Sequence, residues 1–167
     1  MENFKQTNLD DNILRAISEM GFATPTTVQA KTIPHLLNTD TDLIATAQTG
    51  TGKTAAFGLP SIHLTDLKKK DTSTLVLCPT RELCIQIAKD LTKYSKYIDG
   101  LKILAVYGGS DIRGQIKALN KGVHIVIGTP GRTKDLIKRD KLKIGNIARI
   151  VLDEADEMLT MGFKDDL

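Results

Sequence analysis

The sequence predicts an α/β fold, a mostly parallel sheet with helices on both faces. Three observations predict it. Short apolar runs recur at Asp42–Ala45, Thr74–Cys78, Leu101–Val106, His124–Gly128 and Arg149–Leu152. Stretches with helical character fill the gaps near 53–65, 81–97, 111–120, 131–138 and 154–160. Strands alternating with helices read as βαβ units, whose strands are buried on both sides. Third, the residues able to do chemistry fall just after the runs, and α/β sheets bind ligands beyond the carboxyl ends of their strands.

Two helices precede this pattern. Leu9, Ile13, Ile17 and Met20 recur at helical spacing, and Gly21 is a natural stop. Val28, Thr32, Ile33, Leu36 and Leu37 mark a second amphipathic stretch, with Pro34 as an expected kink. No repeat or linker divides the chain, so residues 1–167 read as one domain.

Composition narrows the function classes. At 167 residues the chain is long enough to bury a core, and 41% hydrophobic with 26% charged residues is an ordinary globular balance. No run approaches the ~20 apolar residues of a membrane span. The start, Met1 to Gln6, lacks the basic and apolar regions of a secretory signal. Cys78 and Cys84 have no neighbouring ligands at metal spacing, so they read as free thiols in a cytoplasmic protein. A net charge of +3 is too weak a field to attract a polyanion by itself, so any nucleic acid must be held by placed contacts. Lys68-Lys69-Lys70 reads as a solvated loop before a strand.

Directly after the first run comes Ala47-Gln48-Thr49-Gly50-Thr51-Gly52-Lys53-Thr54. A strict phosphate-loop pattern has Gly where Ala47 stands; the remainder fits. Glycines let backbone N–H groups wrap a phosphate at a helix N-terminus. Lys53 is expected to reach the β- and γ-phosphates, and the Thr54 hydroxyl to bind Mg²⁺. The last run ends in Asp153-Glu154-Ala155-Asp156. Asp153 can hold Mg²⁺, and Glu154 can orient and deprotonate an attacking water. The bland alternative is a solvated acidic pair at a helix start.

These motifs resemble those of the DEAD-box RNA helicases. Asp153-Glu154-Ala155-Asp156 spells the motif that names that family. Gly21 to Gln29 resembles its Q motif, Pro79-Thr80-Arg81-Glu82-Leu83 its motif Ia, Gly108-Gly109 its GG motif, and Thr129-Pro130-Gly131-Arg132 its motif Ib. Phe4 stands where the family places an isolated aromatic. The resemblance implies a RecA-like P-loop domain that binds ATP with Mg²⁺. Gln29 and Thr24 would select adenine; Phe22 would either cover the base or anchor a loop.

Pro79, Thr80, Arg81, Gly108, Gly109, Thr129, Pro130, Gly131 and Arg132 would bind RNA through its backbone, without reading sequence. Thr129 can cap a helix opened by Pro130. The alternative for Arg81 and Arg132 is an internal ion pair, to Glu82 or Asp135. The family also implies a second RecA-like domain that supplies arginine fingers, and a further core strand carrying Ser-Ala-Thr. The chain therefore reads as an incomplete N-terminal domain. It is expected to be nearly inactive alone, because an arginine finger contributes ~10³–10⁵ in turnover.

Overall fold

The computed structural model describes residues 3–167; Met1 and Glu2, the first residues of the start read for a secretory signal, lie outside them. The described residues form two compact units, one of residues up to Leu64 with Asp90–Asp99, the other of Thr65–Lys89 with Gly100–Leu167.

The first unit is helical. A 3₁₀ turn at Phe4–Thr7 leads into α1 (Asp11–Glu19), α2 (Thr27–Asn38) and α3 (Lys53–His63). Asp10 caps α1 by accepting from the Asn12 N–H at 2.8 Å. Gly21, at φ 82°, ends that helix. Helix α2 runs on through Pro34 rather than stopping there. Ile13, Ile17, Ile33 and Leu59 are fully buried and form its core with Phe4, which is also buried. Phe22 packs tilted against both Phe4 and Tyr94, at centroid distances of 6.2 and 5.9 Å. Burial, with the nearby Asp90 carboxylate, pushes the Tyr94 phenol up to about 12.

The second unit carries the sheet. Its strands are β1 (Thr74–Leu77), β2 (Ile103–Val106), β3 (Ile125–Gly128) and β4 (Arg149–Leu152). All pairs are parallel, in the order β2-β3-β1-β4. Helices α4 (Arg81–Tyr94), α5 (Ile112–Asn120), α6 (Pro130–Lys138) and α7 (Ala155–Thr160) follow the strands in turn. Successive strand residues point to opposite faces, yet all of β1 and β3 is buried. Both faces of the central strands are therefore covered, as their continuous apolar runs require. The register aligns Leu77 with Gly128 and with Leu152, and Gly128 with Val106.

Strand β4 lies at an edge, and its Ile150 is 65% exposed. Its register is fixed at its start. The Ala148 and Arg149 N–H groups donate to the Ser73 carbonyl at 2.9 and 3.1 Å, and the Arg149 Nε donates to Thr74 Oγ1 at 3.2 Å. Burial lowers the pKa of this guanidinium.

One expected strand does not form. Residues 42–45 form no strand and join no ladder, and Ile44 is 94% exposed. An apolar run becomes a strand only where a neighbour takes up its N–H and C=O groups. No strand exists among the described residues of its own unit.

Gly128 is a close-packing position. A Cβ there would overlap Thr133 Oγ1 and approach Val106 Cγ2 at 2.9 Å. Thr133 is buried on α6, at 3% exposure, so its side chain has little room to give way. Gly128→Ala is expected to cost about 1–3 kcal/mol by overpacking. Thermal unfolding should show a midpoint lower by several degrees; an unchanged midpoint would mean that α6 shifts freely.

Candidate nucleotide and nucleic-acid site

In the first unit the phosphate-loop residues form an exposed turn opening α3. Gly50 and Gly52 sit at φ 81° and 87°, the left-handed region that side-chain-bearing residues avoid. The Thr51 hydroxyl donates to the Gln48 carbonyl at 2.7 Å, closing the turn. Lys53 and Thr54 follow at the first helical positions, half-buried. The loop is preceded by the unpaired 42–45 segment instead of the expected strand, with Ala47 half-buried and Gln48 and Thr49 exposed.

The Q-motif residues hold this turn from beneath. Thr26 and Gln29 form a capping box at the start of α2, with Gln29 Oε1 accepting from the Thr26 N–H at 2.9 Å. Gln29 Nε2 donates to the Gly52 carbonyl at 3.1 Å. Gln29 is 3% exposed, so it is not a surface amide. Its amide has two hydrogens and two acceptor positions, so one of each remains. Thr24 is exposed beside it in sequence, while Pro25 is buried.

In the second unit the in-phase strand ends place four loops side by side. The order of the strands makes it Tyr107–Ser110, then Thr129–Arg132, then Cys78–Arg81, then Asp153-Glu154. The Asp153 N–H donates to the Leu77 carbonyl at 2.9 Å, extending the ladder one residue past β4. Asp153 is 9% exposed. Glu154 takes φ 55° and ψ 49°, a left-handed conformation that costs a non-glycine residue of order 1–3 kcal/mol.

Pro79 is buried, and Thr80 Oγ1 accepts from the Leu83 N–H at 3.2 Å, capping α4. Arg81 is exposed, its guanidinium 4.9 Å from the Tyr107 ring centre. Gly108 and Gly109 are exposed, with Gly109 at φ 75°.

One expectation needs correction, and one alternative is not what the structure holds. Thr129 is the N-cap residue of α6 and Pro130 its first helical residue, but the Thr129 side chain makes no capping bond. Arg132 forms no ion pair with Asp135, which pairs with Arg139 at 2.7 Å. Arg132 instead donates Nη1 to Gln115 Oε1 at 2.9 Å and Nη2 to the Ser110 carbonyl at 3.2 Å. Gly131 is exposed beside it.

Behind the row lie the free thiols of Cys78 and Cys84, both fully buried. The mutual influence of the two thiols raises Cys78 and lowers Cys84; burial and the charges of Asp153 and Glu154 push Cys78 further up. Cys84 Sγ also donates to the Ile127 carbonyl at 3.0 Å.

The parallel sheet with its loops gathered at the carboxyl ends is a RecA-like α/β fold, shared with a solved DEAD box protein. Residues 26–167 match the family model described as DEAD/DEAH box helicase, and the chain belongs to that family. It is 52% identical over 167 residues to the ATP-dependent RNA helicase CshA of Listeria monocytogenes, covering 100% of this chain and 32% of that protein. It is 45% identical over 164 residues to the ATP-dependent RNA helicase DeaD of Mycobacterium tuberculosis, covering 98% of this chain and 29% of that one. Among solved structures, a DEAD box protein from the hyperthermophile Methanococcus jannaschii superposes with a TM-score of 0.94 at 48% identity, over 99% of this chain and 45% of that chain. The chain thus spans about a third of the length of these curated relatives.

Proposed function

We propose that this chain is the ATP-binding part, and part of the RNA-contacting face, of an ATP-dependent RNA helicase. The observation that carries the reading is the row of four loops at one sheet end, closing on Asp153 and the strained Glu154. RNA enters the reading because the relatives are RNA helicases.

In this reading Gln29 and Thr24 select adenine, with Phe22 beside them. The Ala47–Thr54 turn cradles phosphates with its N–H groups, and Lys53 neutralises them. Thr54 and Asp153 are the residues that would hold Mg²⁺. The fit is chemical: Mg²⁺ takes hard oxygen ligands, usually one or two carboxylates plus substrate phosphates, so no larger cluster is needed. When bound, it neutralises charge developing on the phosphates. Glu154 orients the attacking water and accepts its proton.

Pro79, Thr80, Arg81, Gly108, Gly109, Thr129, Pro130, Gly131 and Arg132 make backbone contacts to RNA. A second RecA-like domain elsewhere in the full-length protein supplies the arginine fingers. Two buried free thiols suit a reducing cytoplasm, and no described helix is long and apolar enough to cross a membrane.

The test is ATP turnover by the full-length protein with no nucleic acid, with single-stranded RNA, and with DNA of the same sequence. Stimulation by RNA of tenfold or more over DNA is expected. Equal stimulation would turn the reading toward a general nucleic-acid translocase, and none at all would remove it.

A further inference from the structure

We infer that Gln115 is the positioning residue of the RNA-contacting face, holding the Gly108-Gly109 loop and Arg132 in one fixed arrangement. The inference rests on the reading above that these loops meet RNA.

Gln115 lies within α5 and is 8% exposed. One amide hydrogen goes to the Tyr107 carbonyl at 3.2 Å and the other to Ser110 Oγ at 2.8 Å. Those two groups flank Gly108-Gly109 in sequence, so one amide holds the loop at both of its ends. The Ser110 hydroxyl also donates back to the Tyr107 carbonyl at 3.1 Å. Gln115 Oε1 accepts from Arg132 Nη1, and Arg132 Nη2 reaches the Ser110 carbonyl. A single buried side chain thus joins the loops that follow β2 and β3.

The opposite side of the glycine pair is open. A Cβ on Gly108 would meet nothing within 4 Å, and one on Gly109 only Arg81 Nη1 at 3.7 Å. The loop is therefore held on one side and bare on the other, as close backbone approach by a ligand requires. Only a side-chain amide can supply this set. It needs two donors and one acceptor on a short, planar group, all satisfied inside the protein. Glutamate would offer acceptors alone, and leucine neither.

The experiment uses the full-length protein and measures the KM for single-stranded RNA, kcat at saturating RNA, and RNA affinity across a salt series. In Gln115→Leu the KM for RNA should rise by roughly tenfold, about the factor expected from losing one buried hydrogen-bonded contact. The kcat at saturating RNA should stay within about twofold. The slope of log affinity against log salt should shrink by about one phosphate contact, because Arg132 loses its orientation. Gln115→Glu keeps the acceptor for Arg132. It should restore the salt slope while leaving KM raised, since both donors to the loop are gone. Ser110→Ala removes the bond from the Gln115 amide to Ser110 Oγ and the one from Ser110 Oγ to the Tyr107 carbonyl, while Gln115 keeps its bonds to Tyr107 and Arg132. It should raise KM by a few-fold, and it decides the matter if Gln115→Leu does not fold.

Unchanged KM and salt slope in a folded Gln115→Leu, or an unchanged KM in Ser110→Ala, would overturn the inference. If wild-type turnover ignores RNA altogether, the nucleic-acid reading falls first; if wild type responds and the variants match it, only the role of Gln115 falls.

Discussion

Glu154→Gln in the full-length protein is expected to lower ATP turnover by about 10²–10⁴, the usual worth of a positioned general base. The substitution keeps the volume and the planar end group of the side chain. It removes only the capacity to take a proton. The strained backbone at φ 55° is common to both residues, so the unfolding midpoint should hardly move. Nucleotide affinity should be retained, because binding is assigned to the Ala47–Thr54 turn and to Gln29. Steady-state turnover with saturating RNA, alongside equilibrium binding of a fluorescent nucleotide, separates the two effects. Full turnover in the variant would mean that some other group activates the water.

Gly52→Ala should weaken nucleotide binding on the order of 10–100-fold. Two costs combine. Gly52 sits at φ 87°, where a side chain is disfavoured by roughly 1–2 kcal/mol. A Cβ would also overlap Gln29 Nε2 and come within 3.1 Å of Gln29 Cδ. That amide cannot swing away cheaply. It is buried, and moving it breaks its bonds to both the Thr26 N–H and the Gly52 carbonyl. The two costs correspond to one or two factors of ten in affinity. Calorimetric titration with ATP reads the change. Gly50→Ala is the useful comparison, because Gly50 shares the left-handed backbone at φ 81° while its Cβ would meet nothing within 4 Å. A similar loss in both variants would assign the effect to backbone strain alone.

The β1–β4 strands were legible because each is a continuous apolar run closed by chemistry-bearing residues. The helices were legible by spacing and by stops such as Gly21. Residues 42–45 looked the same as the other runs. Whether such a run becomes a strand depends on a partner edge, which is not a property of the run itself. Thr129 and Pro130 announced a helix start correctly, but the sequence could not say where the threonine hydroxyl would point. Arg132 raised the choice between a ligand and an internal ion pair, and its observed partners are neutral groups. Gln115 gave no signal at all: a glutamine between Gly114 and Ile116 looks like any polar position on a helix. Its role emerges only when the loops after β2 and β3 are seen to converge on it. The placing of Gln29 is partly legible, since Thr26 followed three residues later by Gln29 is a capping-box pattern. Its second bond, to Gly52, is not.

The link between Arg149 and Thr74 bears on the acidic pair at the far end of the same strand. An edge strand half-buried on one face and exposed on the other is poorly protected against sliding by burial alone. A slide of a single residue would turn Asp153 to the opposite side of the sheet. The aim of the carboxylates is thus decided at the opposite terminus of β4, where a cation anchors it to its neighbour, so a change at Arg149 would be felt as misdirected chemistry before it was felt as unfolding.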